Sequence, residues 1–184
     1  MNAHDIEIRQ LGPEDSIEEL TALLHRAYAR LGRMGLNYTA VDQDVDVTRQ
    51  RIAKGTCYLA VTGTGQICGT IVLYGPIEGE PSGAALLELQ RSGDGAAWLK
   101  QPGIAHLGQF AVDPDLQGQG LGAQLMHKVE AQAGSLNATE IALDTAEPAA
   151  HLVALYTHRG YRFVGYAQWS GKTYRSVIMS KDLR

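Results

Sequence analysis

Regular alternation of apolar and polar residues predicts β-strands near both ends of the chain. In the first segment, Ile6 and Ile8 alternate with charged neighbours, which is the period-two pattern of a strand with one buried face. Gly12-Pro13 ends this segment, since proline donates no hydrogen bond to a sheet. The same reasoning predicts four more strands, two joined by a hairpin at Gly63-Thr64-Gly65 and two joined by a turn at Ser170-Gly171, which span residues 57–62, 66–74, 161–169 and 173–181.

Apolar residues three or four positions apart predict amphipathic helices between these strands. The clearest case runs from Ile17 to Leu31, where the apolar side chains share one face of a helix. Two shorter helices are predicted over residues 41–52 and 149–158, and Gly160 is placed to end the second one as its C-terminal cap.

A strand, a glycine-rich turn and a helix follow one another at the centre of the chain. The apolar run from Ile104 to Val112 predicts a buried strand. Pro114 ends this strand because proline has no N–H group to donate to the sheet. Residues Ala123 to Ala133 have the apolar spacing of a helix. The N–H groups that open a helix attract anions, and glycines let a ligand approach the backbone closely. The sequence therefore predicts a phosphate-binding turn, formed by Gly118, Gly120 and Gly122.

Taken together, these elements predict the fold class. A further strand is predicted over residues 140–143, so that a strand–helix–strand unit in the middle is flanked by an antiparallel pair at each end. We therefore expect an α/β protein with a central sheet that is partly antiparallel and partly parallel, folded as a single domain over residues 1–184. The long connection from 76 to 102 is predicted to hold a short helix around 84–90.

Composition narrows the setting in which such a protein works. A net charge of -4 argues against a nucleic-acid-binding surface and is compatible with a cationic substrate. The two cysteines, Cys57 and Cys68, have no metal-ligand spacing and are expected to be reduced thiols. No apolar run approaches the roughly 20 residues of a membrane span, and the first residues lack the pattern of a signal peptide. A cytoplasmic location and no bound metal are the expectations.

Two well-known phosphate-binding patterns fit the glycine turn poorly. The Walker pattern needs Lys and Ser or Thr where this chain has Ala123 and Gln124. The Rossmann dinucleotide pattern is closer, because Gly118-x-Gly120-x-x-Ala123 matches it and Asp144 follows about twenty residues later. However, five residues separate the strand from the first glycine, and the sixty residues after the motif are too few for a doubly wound domain.

The complete motif resembles the Gcn5-related N-acetyltransferase (GNAT) superfamily. Its signature is a V-x-P strand end followed by Q/R-x-x-G-x-G/A, which appears here as Val112-Asp113-Pro114 and Gln117 to Gly122. A second family segment, L-Y-x-x-x-G-Y/F, appears as Leu155 to Tyr161. The resemblance is specific from about residue 104 to residue 182, and only the order of the elements matches before that. It implies the GNAT fold, a central mixed sheet flanked by helices, and an N-acetyltransferase.

The resemblance also implies the cosubstrate, acetyl-CoA, and the residues that bind it. In the family, a bulge in the strand before the glycine turn splays it from the next strand, so that the pantetheine arm can pair with exposed backbone. The corresponding residues here are Phe110, Ala111 and Val112, and the Val112 N–H is the matching oxyanion donor. The family binds the pyrophosphate through backbone N–H groups of the turn, which here are those of Gln117, Gly118, Gln119, Gly120, Leu121 and Gly122.

Transfer of an acetyl group from a thioester to an amine requires a base and an acid. Tyr156 matches the tyrosine that protonates the leaving thiolate in many family members, although an amphipathic helix could also carry it as a core residue. Two residues are candidates for the base. Asp144 is predicted at the end of a strand, where it could equally be a cap or turn residue. His106 lies on the central strand, and an ordinary histidine pKa near 6.5 suits a base, but a lone histidine is more often structural. Glu147 is a weaker third candidate.

The resemblance also indicates where the acceptor amine binds, at the loop from Gly32 to Tyr38, at the 76–102 connection and at the turn from Trp169 to Gly171. These segments supply Met34, Leu36, Tyr38, Trp98 and Trp169, and exposed apolar clusters mark binding sites or, for Trp98 and Trp169 equally, a homodimer contact. Glu78, Glu80, Glu88 and Asp94 outnumber Arg91 and Lys100 in the connection, which favours a cationic small-molecule or peptide amine over tRNA or DNA. The alternative function is a non-catalytic module that binds or senses acyl-CoA.

Overall fold

Seven strands form one mixed sheet in the computed structural model, which describes residues 6–79 and 83–184. The strands lie in the order β1-β2-β3-β4-β5-β7-β6. The pairs β1/β2, β2/β3, β5/β7 and β6/β7 are antiparallel, whereas β4 and β5 are parallel. The predicted α/β fold with a mixed sheet is confirmed. The strands are β1 (Ile6–Gln10), β2 (Thr56–Thr62), β3 (Ile67–Tyr74), β4 (Ile104–Val112), β5 (Glu140–Ala146), β6 (Arg162–Ala167) and β7 (Ser176–Asp182).

Side-chain caps set the starts of several helices. The hydroxyl of Ser16 accepts a hydrogen bond from the Glu19 N–H at the start of the first helix, and the carboxylates of Asp44 and Asp94 do the same for two others. Gly160, with φ +86°, follows the C-terminus of the last helix as predicted. The helices are α1 (Ile17–Arg33), α2 (Val45–Ile52), α3 (Gly83–Ser92), α4 (Gly95–Trp98), α5 (Leu121–Ser135) and α6 (Ala150–His158), with short 3₁₀ turns at Thr39–Val41 and Pro114–Leu116.

The chain divides into two compact units, and β4 contributes residues to both. The first unit consists of residues 1–74 and 108–129, and the second of residues 75–107 and 130–184. A single domain over the whole length stays a prediction.

In the first unit, α1 and α2 cover one face of strands β2 and β3. Leu20 and Leu23 of α1 lie against Leu59 and Val72 in a buried cluster. Each such side chain contributes roughly 1.5–3 kcal/mol to folding. The same unit corrects one expectation about the loop after α1. Leu36, predicted to be exposed, is buried, because its N–H bonds back to the Leu31 carbonyl and folds the loop onto the end of the helix.

In the second unit, a tryptophan from the connection forms the centre of the core. Trp98 is 1% exposed and packs with Ile104, Val164 and Ile178. The short helix α4 can lie this close to Ile178 of β7 because Gly95 has no side chain. A β-carbon at Gly95 would overlap Ile178. The prediction that Trp98 faces an acceptor or a second subunit is therefore wrong.

Both cysteines are buried thiols of the first unit. Cys57 is 5% exposed and Cys68 is 2% exposed. Burial raises the pKa of the Cys57 thiol to about 11 and also raises the pKa of Cys68. In the part of the chain that the structure describes, no helix is both long enough and apolar enough to span a membrane.

Candidate functional site

The glycine turn joins β4 to α5 and projects into open space. Beyond Pro114, the carboxamide of Gln117 donates a hydrogen bond to the Val112 carbonyl at 3.1 Å and holds the turn against the end of β4. Gly118 and Gly120 have φ values of +75° and +86°, a backbone conformation that favours glycine. Residues 117–120 are exposed, and α5 begins immediately afterwards at Leu121.

This geometry fits an anionic ligand. The first N–H groups of an α-helix have no acceptor within the helix, so those of Leu121, Gly122 and Ala123 are available to a ligand. A β-carbon placed on Gly118 or Gly120 would meet no protein atom within 4 Å, which leaves the space before the turn clear. Both features suit a phosphate group bound by backbone donors.

Strand β4 is irregular just before the turn. Its parallel pairing with β5 runs from Ile104 opposite Glu140 to His106 opposite Ala142. Gln109 then has φ +48°, the left-handed region that non-glycine residues rarely adopt, and so interrupts the regular strand. The Phe110 carbonyl accepts a hydrogen bond from the Tyr28 hydroxyl at 3.1 Å. This irregularity lies where the resemblance predicts a bulge.

In the second unit, Asp144 is held by two neutral donors. The indole Nε1 of Trp169 donates to Asp144 Oδ2 at 3.0 Å, and the hydroxyl of Ser176 donates to the same oxygen at 3.1 Å. The other oxygen, Oδ1, lies 3.8 Å from Nε2 of His106. Asp144 and His106 have side chains about one-third exposed, so the pair is open to solvent on one side. The structure thus brings both candidate bases together.

The position of Asp144 differs from the prediction. The sequence indicated a strand over residues 140–143 with Asp144 at its end, either as a base or as a cap or turn residue. Strand β5 instead continues to Ala146, and Asp144 pairs with Ile178 of β7 in the sheet. The carboxylate is therefore carried by regular backbone on both sides, which fixes its direction better than a loop would.

The surroundings keep the Asp144 carboxylate ionised. Burial raises its pKa, but the interaction with His106 and the hydrogen bonds from Trp169 and Ser176 outweigh burial and hold the pKa below its usual value. At neutral pH the group is a carboxylate anion beside the imidazole. Such an anion orients a histidine and stabilises its protonated form.

Tyr156 projects from the buried face of α6. Its side chain is 7% exposed, and its ring meets that of Tyr161 edge-on, with ring centroids 6.1 Å apart. The Tyr161 hydroxyl donates to Glu130 Oε1 at 3.0 Å, and burial, followed by the charge of Glu130, raises the pKa of Tyr161. Tyr161 therefore serves as a neutral support for Tyr156.

Glu147, the weaker candidate, is engaged elsewhere. Its two oxygens accept hydrogen bonds from Nε and Nη2 of Arg175 at 2.9 and 2.7 Å. These bonds lower the pKa of Glu147, so that it is a poor proton acceptor near neutral pH.

The residues expected near the acceptor divide by exposure. Met34 is exposed, and Tyr38 packs edge-on against Tyr28 with centroids 5.5 Å apart. Trp169 is partly buried beside Asp144, whereas Leu36 and Trp98 belong to the core. Of the acidic residues in the connection, Glu78 is exposed and Asp94 caps α4, while Glu80 and the side chain of Glu88 lie outside the described part of the structure.

Sequence reasoning missed the donors that hold Asp144. Trp169 and Ser176 follow it by 25 and 32 residues, and only the antiparallel register of β5 and β7 brings Ser176 close. A serine directly before the apolar run from Val177 to Met179 is the one sequence signal that could have indicated Ser176.

Comparisons with known proteins agree with the geometry. A family model described as "Acetyltransferase (GNAT) family" matches residues 25–161. A curated protein of Bacillus subtilis (strain 168), S-(2-succino)cysteine N-acetyltransferase, is 30% identical over 180 residues, which is 95% of either chain.

Solved structures share the fold. A GNAT-family acetyltransferase from Staphylococcus aureus Mu50 is 15% identical with a TM-score of 0.66, covering 97% of this chain and 99% of that one. A GNAT-family acetyltransferase from Elizabethkingia anophelis, solved with acetyl-CoA bound, is 18% identical with a TM-score of 0.63, covering 97% and 98%.

Proposed function

Because the chain belongs to the GNAT family of acetyltransferases, we propose that it moves the acetyl group of acetyl-CoA onto the primary amine of a small molecule. The observation that carries the proposal is the pair formed by Asp144 and His106. One oxygen of Asp144 is bonded to Trp169 and Ser176, and the other faces the imidazole. A protein that only bound the thioester would have no need of an oriented imidazole.

The glycine turn and the end of β4 form the proposed binding site for the donor. Acetyltransferases of this family use acetyl-CoA, which supplies an activated acyl group as a thioester. The open turn from Gln117 to Gly122 would hold its pyrophosphate through backbone N–H groups. The backbone of Phe110, Ala111 and Val112 would pair with the pantetheine arm, and the Val112 N–H would donate to the oxyanion.

Proton transfer is assigned to His106, Asp144 and Tyr156. The amine must lose a proton as its nitrogen bonds to the acyl carbon, and we assign that proton to the imidazole of His106. Asp144 is the weaker base, because its low pKa keeps it ionised and leaves little tendency to take up a proton. As the carbon–sulfur bond breaks, the thiolate takes a proton from the Tyr156 hydroxyl.

The acceptor is proposed to be the amine of an amino acid. The name of the 30% identical relative gives an S-substituted cysteine as the acceptor of that protein, and both chains match over 95% of their lengths. The cationic acceptor expected from the acidic connection stays a prediction. Its support is reduced, since Asp94 caps a helix and Trp98 lies in the core.

A substitution at Gly120 tests the donor site. Gly120→Ala places a methyl group before the N–H groups that would bind phosphate, so we expect the affinity for acetyl-CoA to fall about 10-fold or more. The φ of +86° means that any side chain also strains the turn. Gly65→Ala is the matched control, because Gly65 has φ +88° and equally open surroundings in the β2–β3 hairpin. Equal calorimetric affinities for both variants would contradict the proposed donor site.

The alternative, a non-catalytic acyl-CoA-binding module, predicts a different result in one assay. The wild-type protein is mixed with acetyl-CoA and a panel of amino acids, S-substituted cysteines and polyamines, and released thiol is followed. Tight binding of acetyl-CoA without release of thiol by any acceptor would favour the binding module.

A further inference from the structure

Arg51, in the last turn of α2, is a cation without an anionic partner. Its guanidinium Nη1 donates to the side-chain oxygen of Gln43 at 3.2 Å, and it also bonds the Tyr74 hydroxyl. No ion pair formed by the described residues includes Arg51. Arg49, two residues earlier on the same helix, contacts both Asp46 and Glu18. The half-buried arginine therefore has only neutral partners, whereas its exposed neighbour has carboxylates.

Arginine can only donate hydrogen bonds, and this fixes the orientation of the buried side-chain amides of Gln43 and Gln109. Because Arg51 cannot accept a hydrogen bond, the oxygen of Gln43 must face it and the Gln43 nitrogen must point away. That nitrogen donates to the side-chain oxygen of Gln109 at 2.9 Å and to the Thr48 hydroxyl at 2.6 Å. The Gln109 nitrogen consequently faces away from Gln43, and this buried atom has no acceptor among the described residues.

An amide donor without an acceptor, in Gln109, and a guanidinium without a counter-charge, in Arg51, thus lie on either side of Gln43. Gln43 and Gln109 are each only 4% exposed, so water gives the Gln109 amide little compensation. A buried donor without a partner costs about 1–3 kcal/mol of stability. A half-buried cation likewise needs a counter-charge. One carboxylate that accepted from both Arg51 and Gln109 would satisfy both requirements.

This cluster borders the strand where acyl transfer is proposed. The ring of Tyr74 lies over Gly108, where an added β-carbon would be 3.1 Å from Cε2 of the tyrosine. Gly108 and Gln109 directly precede Phe110, the first residue proposed to pair with the pantetheine arm. An anionic group bound here would therefore belong to the acceptor, because the phosphates of the donor are assigned to the turn from Gln117 to Gly122.

We propose that Arg51 and the side-chain amide of Gln109 bind a carboxylate group of the acceptor, which selects amino acids over cationic amines. Tyr74 orients the guanidinium through its hydroxyl. This inference rests on the proposed function, since it names the class of acceptor used by the same site.

The test compares two acceptors that differ only in charge, S-(carboxymethyl)cysteine and its diamide. Arg51→Gln is expected to lower the ratio of kcat/KM for the acid to kcat/KM for the diamide by about 10- to 100-fold, the range for a lost hydrogen bond to a charged group. Most of the change should appear in the KM for the acid. Arg51→Lys keeps the positive charge and should restore part of the ratio. Arg49→Gln, which removes an arginine already paired with carboxylates, should leave the ratio unchanged.

A second measurement separates this inference from the proposed function. Binding of S-(carboxymethyl)cysteine to the wild-type protein and to Arg51→Gln is measured by calorimetry without acetyl-CoA. Loss of binding in the variant supports the carboxylate site even if no acceptor is acetylated, in which case the proposed function alone fails. Equal binding by both proteins, or an acid-to-diamide ratio that Arg51→Gln does not change, overturns the site. If Arg51→Gln does not fold, a wild-type protein that prefers the diamide to the acid overturns it as well.

Discussion

Two carboxylates four residues apart on β5 have opposite surroundings. Both oxygens of Glu140 lie 2.9 Å from Nη2 of Arg162, one also accepts from the Ser180 hydroxyl, and the side chain is 9% exposed. Asp144 receives hydrogen bonds from neutral donors at one oxygen only and is 32% exposed. Glu140 is fully compensated, whereas Asp144 keeps one oxygen directed at an imidazole.

The difference separates a structural ion pair from the pair that is proposed to act in catalysis. A buried carboxylate with a strong counter-ion fixes the register of neighbouring strands, and here Arg162 and Ser180 tie β6 and β7 to the first residue of β5. A carboxylate that has no strong counter-ion can stabilise the positive charge that forms when a neighbouring group takes up a proton. Strand β5 therefore carries a structural carboxylate at its start and the proposed catalytic carboxylate near its end.

The largest effect is expected when the charge of Asp144 is removed. Asp144→Asn keeps the size of the side chain but no longer stabilises a protonated imidazole, so we predict a fall in kcat/KM of about 100-fold or more, within the range of general acid–base catalysis. Steady-state assays with a saturating acceptor measure this effect. The acidic limb of the pH–rate profile should disappear in His106→Ala. A variant with full kcat/KM would return Asp144 to a purely structural role.

A smaller and different effect is expected at Glu140. Glu140→Gln leaves Arg162 without its counter-ion, and breaking a buried pair costs about 3–5 kcal/mol. Because the Arg162 side chain is 42% exposed, we predict a smaller loss, about 2 kcal/mol of the free energy of unfolding, measured by urea denaturation. The remaining folded protein should keep its kcat. Glu147→Gln, which breaks an exposed pair, is the control and should cost less than about 1 kcal/mol. Equal losses in the two variants would remove the distinction drawn for Glu140.

The smallest effect is expected when Asp144 is kept but loses one of its hydrogen-bond donors. Trp169→Phe deletes one donor, so the pKa of Asp144 should rise toward its ordinary value and kcat/KM should fall about 10-fold. A carboxylate whose folded pKa is lowered adds stability above its unfolded pKa, near 3.9, and this stability is lost as pH falls through the folded pKa. The stability lost on acidification should therefore be smaller in Trp169→Phe than in the wild-type protein. Carboxyl titration by NMR checks the shift, and an unchanged Asp144 titration would show that the indole does not hold the carboxylate.

Local patterns predicted much of the fold. The bounds of β4 were predicted to the residue, and the helix after the glycine turn differs only at its ends. These elements depend on apolar spacing, proline and glycine, all of which act within a few residues. The glycine turn belongs to the same class, since its conformation follows from Gly118 and Gly120 themselves.

The features that were not predicted depend on contacts between residues far apart in the sequence. Leu36 and Trp98 were predicted to be exposed because glycines surround them, but backbone hydrogen bonds and a close helix approach bury them. The candidate bases were chosen separately, and nothing local indicated that His106 and Asp144 face each other across neighbouring strands. The hydrogen bond from Arg51 to Gln43 joins the end of α2 to the loop before this helix. The spacing of apolar residues could not predict it either.

The burial of Cys57 and Cys68 has a practical consequence at the bench. The proposed reaction releases a free thiol for each acetyl group transferred. Thiol reagents attack the thiolate, and both cysteines of this chain are enclosed with raised pKa values. A colorimetric count of thiols in a native reaction mixture therefore reports turnover directly, with little background from the protein, and a rise in that background marks the moment at which the first unit unfolds.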